Sequence, residues 1–243
     1  MKHEGARASQ AKGARAFQAS DRAGASERGA AVVMALGALS LLAALGVTML
    51  LTSTSEMLIA GMFRDQRAAV YAADAIAARA LDELAQWPDW NAVFAGSPSP
   101  SLVDGGSPAV PRVLDDGSTI ALASVVNMAN CQKASACTVA ELEAVSARRP
   151  WGANNPRWQL YAYGPLRNVL PAGALASPWY VVLLVGDDPL RAADVIALRA
   201  EAFGPRSGHA VVEMLAARPS GQDTDYNGGG RPSMKTLSWR EVR

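Results

Sequence analysis

The chain is poor in the residues that do chemistry. Its 243 residues include two cysteines and two histidines, and aromatic side chains make up 6%. A zinc centre needs four ligands, and Cys131, Cys137 and His209, with His3 near the N-terminus, do not supply a set at zinc-binding spacing. Beyond residue 29, His209 is the sole histidine, and no Gly-x-Ser-x-Gly turn sits between a strand-like and a helix-like run. Asp187-Asp188 precede Pro189 and read as turn residues. The expectation is a protein without enzymatic activity. Nucleic acid is not expected as a partner either, because the net charge is +1 and no basic run occurs.

Charge is missing altogether from Gly29 to Leu51, and the next charged residue is Glu56. At the helical rise this run is roughly 35 Å long against a hydrocarbon core of about 30 Å, so it can cross a bilayer alone. Proline is missing from 56–86, EMLIAGMFRDQRAAVYAADAIAARALDELAQ, which is rich in strong helix formers. Ile59, Met62, Phe63, Val70, Ala73, Ala77, Leu81 and Leu84 fall at steps of three, four and seven and predict an apolar stripe. One helix is therefore expected over about 30–86, membrane-spanning first and amphipathic after.

Residues 1–29 carry six Lys/Arg against three acidic residues and are otherwise rich in alanine, glycine and serine. They are expected to be disordered. The basic excess beside the span places the N-terminus in the cytoplasm and the head outside it. The apolar run is longer than that of an ordinary secretory signal.

The Arg28-Gly29 junction, the apolar run, and the pairs Ala60-Gly61, Arg64-Asp65 and Ala72-Ala73-Asp74 together resemble the N-terminal segment of the PilX-type minor pilins of type IV pilus systems. The resemblance covers about 60 residues, and WYVVLLVGDD followed by RAEAFGP and VVEMLAAR is weakly similar to the family's C-terminal sheet. It implies cleavage by prepilin peptidase between Gly29 and Ala30, the alternative being an uncleaved signal anchor. Ala30 stands where many pilins have phenylalanine, and Met34 where they have glutamate, which points to a low-copy subunit. The connection Pro189–Ala193 is shorter than in the family.

Beyond the helix, Trp87-Pro88-Asp89-Trp90 is a stop signal. Residues 95–118 read as a surface loop, and Thr119 to Val126 as a buried strand. Cys131 and Cys137 are expected to close a small disulfide loop outside the cytoplasm, with reduced core cysteines or a metal site as alternatives. Thr138 and Glu141 fit a capping box for a helix over about 139–148. Trp158–Tyr163 and Trp179–Val185 read as strands, and 194–217 as a hairpin turning at Gly204–Gly208. Asp223, Asp225 and Asn227 resemble the first half of a calcium loop, but Met234 stands where a bidentate glutamate belongs, so an Asx-rich turn remains the alternative.

The fold expectation is α+β and pilin-like: leader 1–29, helix 30–86, linker 87–118, and an antiparallel β-rich head at 119–243. Taken with the resemblance, this implies a minor pilin in type IV pilus assembly. Its partners would be other minor pilins, the major pilin, prepilin peptidase and the inner-membrane assembly platform, and Gly37 and Ala44 would give close helix packing. No cofactor is expected unless the calcium loop is real. The alternatives are a pseudopilin of a type II secretion system or a membrane-anchored periplasmic binding domain.

Overall fold

The computed structural model describes residues 5–87, 89–96, 100–148, 157–169, 177–187, 194–218 and 234–242, with side chains described from Gly29 onward except at 146–148. The chain divides into two compact units, Met1–Gly61 and Met62–Arg243. Helix α1, Gly5–Leu84, contributes to both. It begins well ahead of residue 30, so the expectation of disorder there is corrected from Gly5 onward. The segment is alanine-rich and free of proline, and its helix propensity outweighs its lack of apolar residues to bury.

In the second unit α1 is followed by α2 (Trp90–Phe94), β1 (Arg112–Val113), β2 (Thr119–Ile120), α3 (Leu122–Cys131), α4 (Val139–Arg148), β3 (Gln159–Pro165), β4 (Tyr180–Asp187), β5 (Val195–Gly204), β6 (Gly208–Ala217) and β7 (Lys235–Val242). Strands β3 to β7 form one antiparallel sheet in sequence order, and β1 and β2 a separate two-stranded ladder. The class is α+β, with a long N-terminal helix and a C-terminal antiparallel sheet, as the sequence predicts.

Alternation along the strands builds two cores. Val181, Leu183, Ile196, Leu198 and Val212 join Ala69, Ala73, Ile76, Ala80 and Leu84 of α1 in one cluster. Tyr163, Tyr180, Val182, Leu184 and Ala197 join Leu122, Val125 and Ala129 of α3 in the other. The sheet is thus covered on both faces, and its interior strand β4 reads as a continuous apolar run, buried from Tyr180 to Gly186.

Four expectations need correction. Thr119–Val126 is not a strand: after Ile120 the chain turns into α3, because Leu122, Val125 and Ala129 lie at steps of three and four and bury one helical face. Residues 95–118 are more than a linker. Within them Arg112 is tied by Nε to Asp104 Oδ1 at 2.8 Å, by Nη1 to the Val110 carbonyl at 2.7 Å and by Nη2 to the Gly106 carbonyl at 2.9 Å, while Tyr180 Oη donates to Asp104 at 2.6 Å. The third correction is β7, a strand to which the sequence analysis assigns no element. Its residues pair with β6 from Val211↔Val242 to Ala217↔Lys235, around a bulge. Finally, the apolar stripe does not start at Ile59. Ile59, Met62 and Phe63 are exposed, and burial begins at Ala69.

The hairpin between β5 and β6 is present and turns through Pro205–Ser207, with Arg206 and Ser207 at positive φ. It closes over Trp179, whose ring lies where a Cβ on Gly204 or Gly208 would stand. Gly204→Ala therefore forces the ring or the hairpin to move. We expect a loss of about 1–3 kcal/mol in urea denaturation. An unchanged midpoint would mean that the Trp179 ring does not rest against this turn.

Candidate functional site

Two regions of α1 carry the residues singled out in the sequence. In the first unit, Gly29 and Ala30 are exposed helical residues, and the side chains from Val32 to Leu51 are exposed around the full circumference. This is one helix long and apolar enough to cross a membrane. An apolar surface on every side is what lipid requires, whereas a soluble helix shows one apolar stripe. The hydroxyls in the segment have internal partners. Ser40 Oγ donates to the Leu36 carbonyl at 2.8 Å, Thr48 Oγ1 to Leu45 at 2.8 Å, Thr52 Oγ1 to Thr48 at 2.9 Å, and Ser55 Oγ to Thr52 at 2.8 Å. Such back-bonding removes most of the cost of placing a hydroxyl in or near hydrocarbon. Gly37 has nothing within 4 Å of its Cβ position, and Ala44 is exposed in the same segment.

In the second unit, Ala72 and Ala73 are buried against the sheet, and the two neighbouring carboxylates reach its edges. Asp65 is ion-paired with Arg206 of the β5–β6 turn. Asp74 Oδ1 accepts from Trp239 Nε1 of β7 at 2.7 Å. The Asp65 and Ala72-Ala73-Asp74 elements of the pattern are thus residues that dock this part of α1 on its sheet. The partners Arg206 and Trp239 were not anticipated.

A polar network occupies the sheet face opposite α1. Arg199, Glu213 and Arg240 are cross-strand neighbours on β5, β6 and β7. Arg199 contacts Glu201 Oε1 and Glu213 Oε1, both at 2.7 Å, Arg240 Nε contacts Glu213 Oε2 at 2.9 Å, and His209 Nε2 lies 3.0 Å from Glu201 Oε2. His209 also stacks on Phe203, with ring centroids 4.6 Å apart. Glu201 is only 4% exposed. Burial pushes its carboxyl up, but the hydrogen bond with His209 and the charge and hydrogen bond of Arg199 outweigh this, leaving it below the usual glutamate value. Among the described residues His209 bonds Glu201 and stacks on Phe203, and the network holds strands together.

Cys131 and Cys137 form a disulfide, with Cα atoms 5.9 Å apart. It ties the end of α3 to the start of α4, where Thr138 N donates to Glu141 Oε2 at 2.8 Å and Glu141 N to Thr138 Oγ1 at 3.3 Å, the expected capping box. Lys133 and Thr138 hold the exposed Glu141 carboxyl down at about 2. Asp223, Asp225 and Asn227 lie outside the described residues. Among the described residues no group of three or more histidine, cysteine or acidic side chains could hold a metal. A shallow cleft is lined by Arg79, Glu83, Gln86, Trp87 and Ser101, and both Glu83 oxygens accept from Ser101.

No family model, curated protein or solved structure matches the chain.

Two measurements follow. Trp239→Phe keeps an aromatic ring but removes the donor to Asp74. Half-exposed as the indole is, the loss should be about 1 kcal/mol in chemical denaturation, and it should vanish in an Asp74→Ala background. Equal losses in both backgrounds would exclude the contact. Glu201→Gln should cost on the order of 3 kcal/mol at neutral pH, since it leaves Arg199 and its neighbours short of a buried charge. Because the folded-state pKa is depressed, the wild-type advantage is complete above the unfolded glutamate value of about 4.3. It is lost as pH falls through the lower folded value. Denaturation curves of the two proteins should therefore converge in acid; a constant gap across pH would refute the assignment.

Proposed function

We propose that this protein is a minor pilin that takes part in type IV pilus assembly, held in the bacterial inner membrane by residues 30–55 with its N-terminus in the cytoplasm and its head in the periplasm. The observation that carries the reading is the division of labour along α1. Its upstream part is apolar all round and unburied, and Ala69–Leu84 pack on an antiparallel sheet. The resemblance at Ala60-Gly61, Arg64-Asp65 and Ala72-Ala73-Asp74 supports it, since Asp65 and Asp74 bond the sheet's periphery. The disulfide Cys131–Cys137 agrees with an oxidising compartment. In this role the span packs against the spans of other pilins through Gly37 and Ala44, and the head contacts their heads. A pseudopilin of a type II secretion system would be built on the same frame, and the identity of the recovered partners separates the two.

The test has two parts. The protein purified from membranes should begin at Ala30, the product of prepilin peptidase; a start upstream of Gly29 would leave an uncleaved anchor. Gly37→Leu with Ala44→Leu should leave membrane insertion intact, because both changes raise hydrophobicity, and should lower co-purification of partner pilins. Full partner recovery with normal insertion would reduce the span to an anchor and favour a periplasmic binding domain outside any filament.

A further inference from the structure

Helix α4 is held to the second unit by little besides the connection that leads into it. None of its described side chains, Val139 to Val145, is buried, and none belongs to either core cluster. Its neighbour α3 differs, since Leu122, Val125 and Ala129 are buried in the second of those clusters. Leu142 and Val145 are half-buried and one turn apart, and α4 packs on α3. A helix of ten residues is marginal in water alone, so its attachment must come from elsewhere. The Thr138–Glu141 capping box is internal to the start of α4 and attaches it to nothing else. Lys133 pairs with Glu141, but the two side chains are 32% and 42% exposed, and an ion pair that open to water contributes little. Asn127 Nδ2 donates to the Ala134 carbonyl at 3.2 Å, which fixes the connection to α3 without reaching α4. Among the described residues, the tie that remains is Cys131–Cys137.

We propose that the Cys131–Cys137 bond is a redox-operated clasp: closed, it keeps α4 docked on α3, and opened, it frees α4 while α3 and the sheet keep their packing. Cys131 is buried and Cys137 half-buried, so an attacking thiolate meets the Cys137 sulfur and Cys131 is the leaving group. A dithiol completes the exchange. Its second sulfur attacks the mixed disulfide, Cys137 leaves, and the dithiol ends as a cyclic disulfide. The protein's S–S bond has then taken up two electrons and two protons, which the dithiol has given up. Under the proposed topology the clasp closes only after the head has left the reducing cytoplasm, so α4 docks after export.

The test is amide hydrogen exchange, read by mass spectrometry on the full chain in detergent micelles before and after dithiothreitol. Alkylation of Cys131 and Cys137 reports that the bond has opened. Reduction should speed exchange over 139–145 by roughly tenfold or more, while α3 and strands β3 to β6 stay as protected as before. The double variant Cys131→Ser with Cys137→Ser should behave as the reduced protein does, without any reductant present. Unchanged exchange over 139–145, with both thiols alkylated or both replaced by serine, overturns the clasp. A loss of protection that spreads through β3 to β6 overturns it too, because the bond would then staple the whole unit. Neither result bears on where the mature chain starts or which partners it recovers, so the clasp and the proposed function fail separately.

Discussion

The second unit depends on the burial of the Ala69–Leu84 part of α1 against its sheet. Ala69, Ala72, Ala73, Ala77 and Ala80 on the helix are buried in the same cluster as Ala200, Ala202, Ala210 and Ala216 on β5 and β6. The alanines leave room for the larger side chains between the two layers, so Ile76, Leu84, Val181, Leu183, Ile196 and Leu198 supply most of the contact in that cluster. Larger residues mark the ends and the centre: Ile76 and Leu84 fill what the alanines leave. The polar contacts at Asp65 and Asp74 reach partners at the margins of this apolar zone, where they add orientation to a surface that alanine alone would leave free to slide.

On the other face the constraint is electrostatic. Arg112 and Arg199 are both largely withdrawn from solvent, and each makes several charge-assisted bonds. A buried guanidinium without partners would be prohibitively costly, so each arginine fixes the positions of everything that answers it. Arg112 folds the 104–112 loop around itself and draws in Tyr180 through Asp104. Arg199, Glu213 and Arg240 alternate in sign across three strands, and a register slip would set like charges opposite one another. Asn130 adds a third tie: its side chain bonds the Trp158 backbone at both nitrogen and carbonyl, fastening α3 to the approach to β3.

Much of the fold was legible because two periods are strong in the chain. Stretches such as WYVVLLV and VIALRAEAF announce strands, and the proline-free segment 56–86 announces a helix that ends within two residues of its expected stop. Thr119–Val126 reads as a strand because eight apolar or small residues suit either period, and the residue that decides for a helix, Ala129, lies beyond that stretch. Strand β7 was missed because its inner neighbours, not its own pattern, hold it: Lys235–Arg240 alternate weakly, and the pairing with β6 is interrupted by a bulge. Among candidate site residues, the disulfide and the capping box could be read from spacing. Arg206 and Trp239 could not, since each lies more than a hundred residues from the aspartate it meets and no local rule joins them.

Composition along α1 carries one more step of the argument. Helix propensity alone does not distinguish its upstream segment from its downstream one, for both are made of good helix formers. What differs is side-chain volume. Val32 to Leu51 is dominated by leucine, valine and methionine, which gain most where surface is simply withdrawn from water and no shape need be matched. Ala68 to Ala80 is dominated by alanine, which gains little by transfer, and Ala69, Ala72, Ala73, Ala77 and Ala80 are buried in one cluster with the sheet. Under the proposed function, that change of side-chain volume along α1 separates the segment held by lipid from the segment held by a shaped protein surface. Between the two lies Glu56 to Arg67, where bulky side chains and charges alternate and neither description holds.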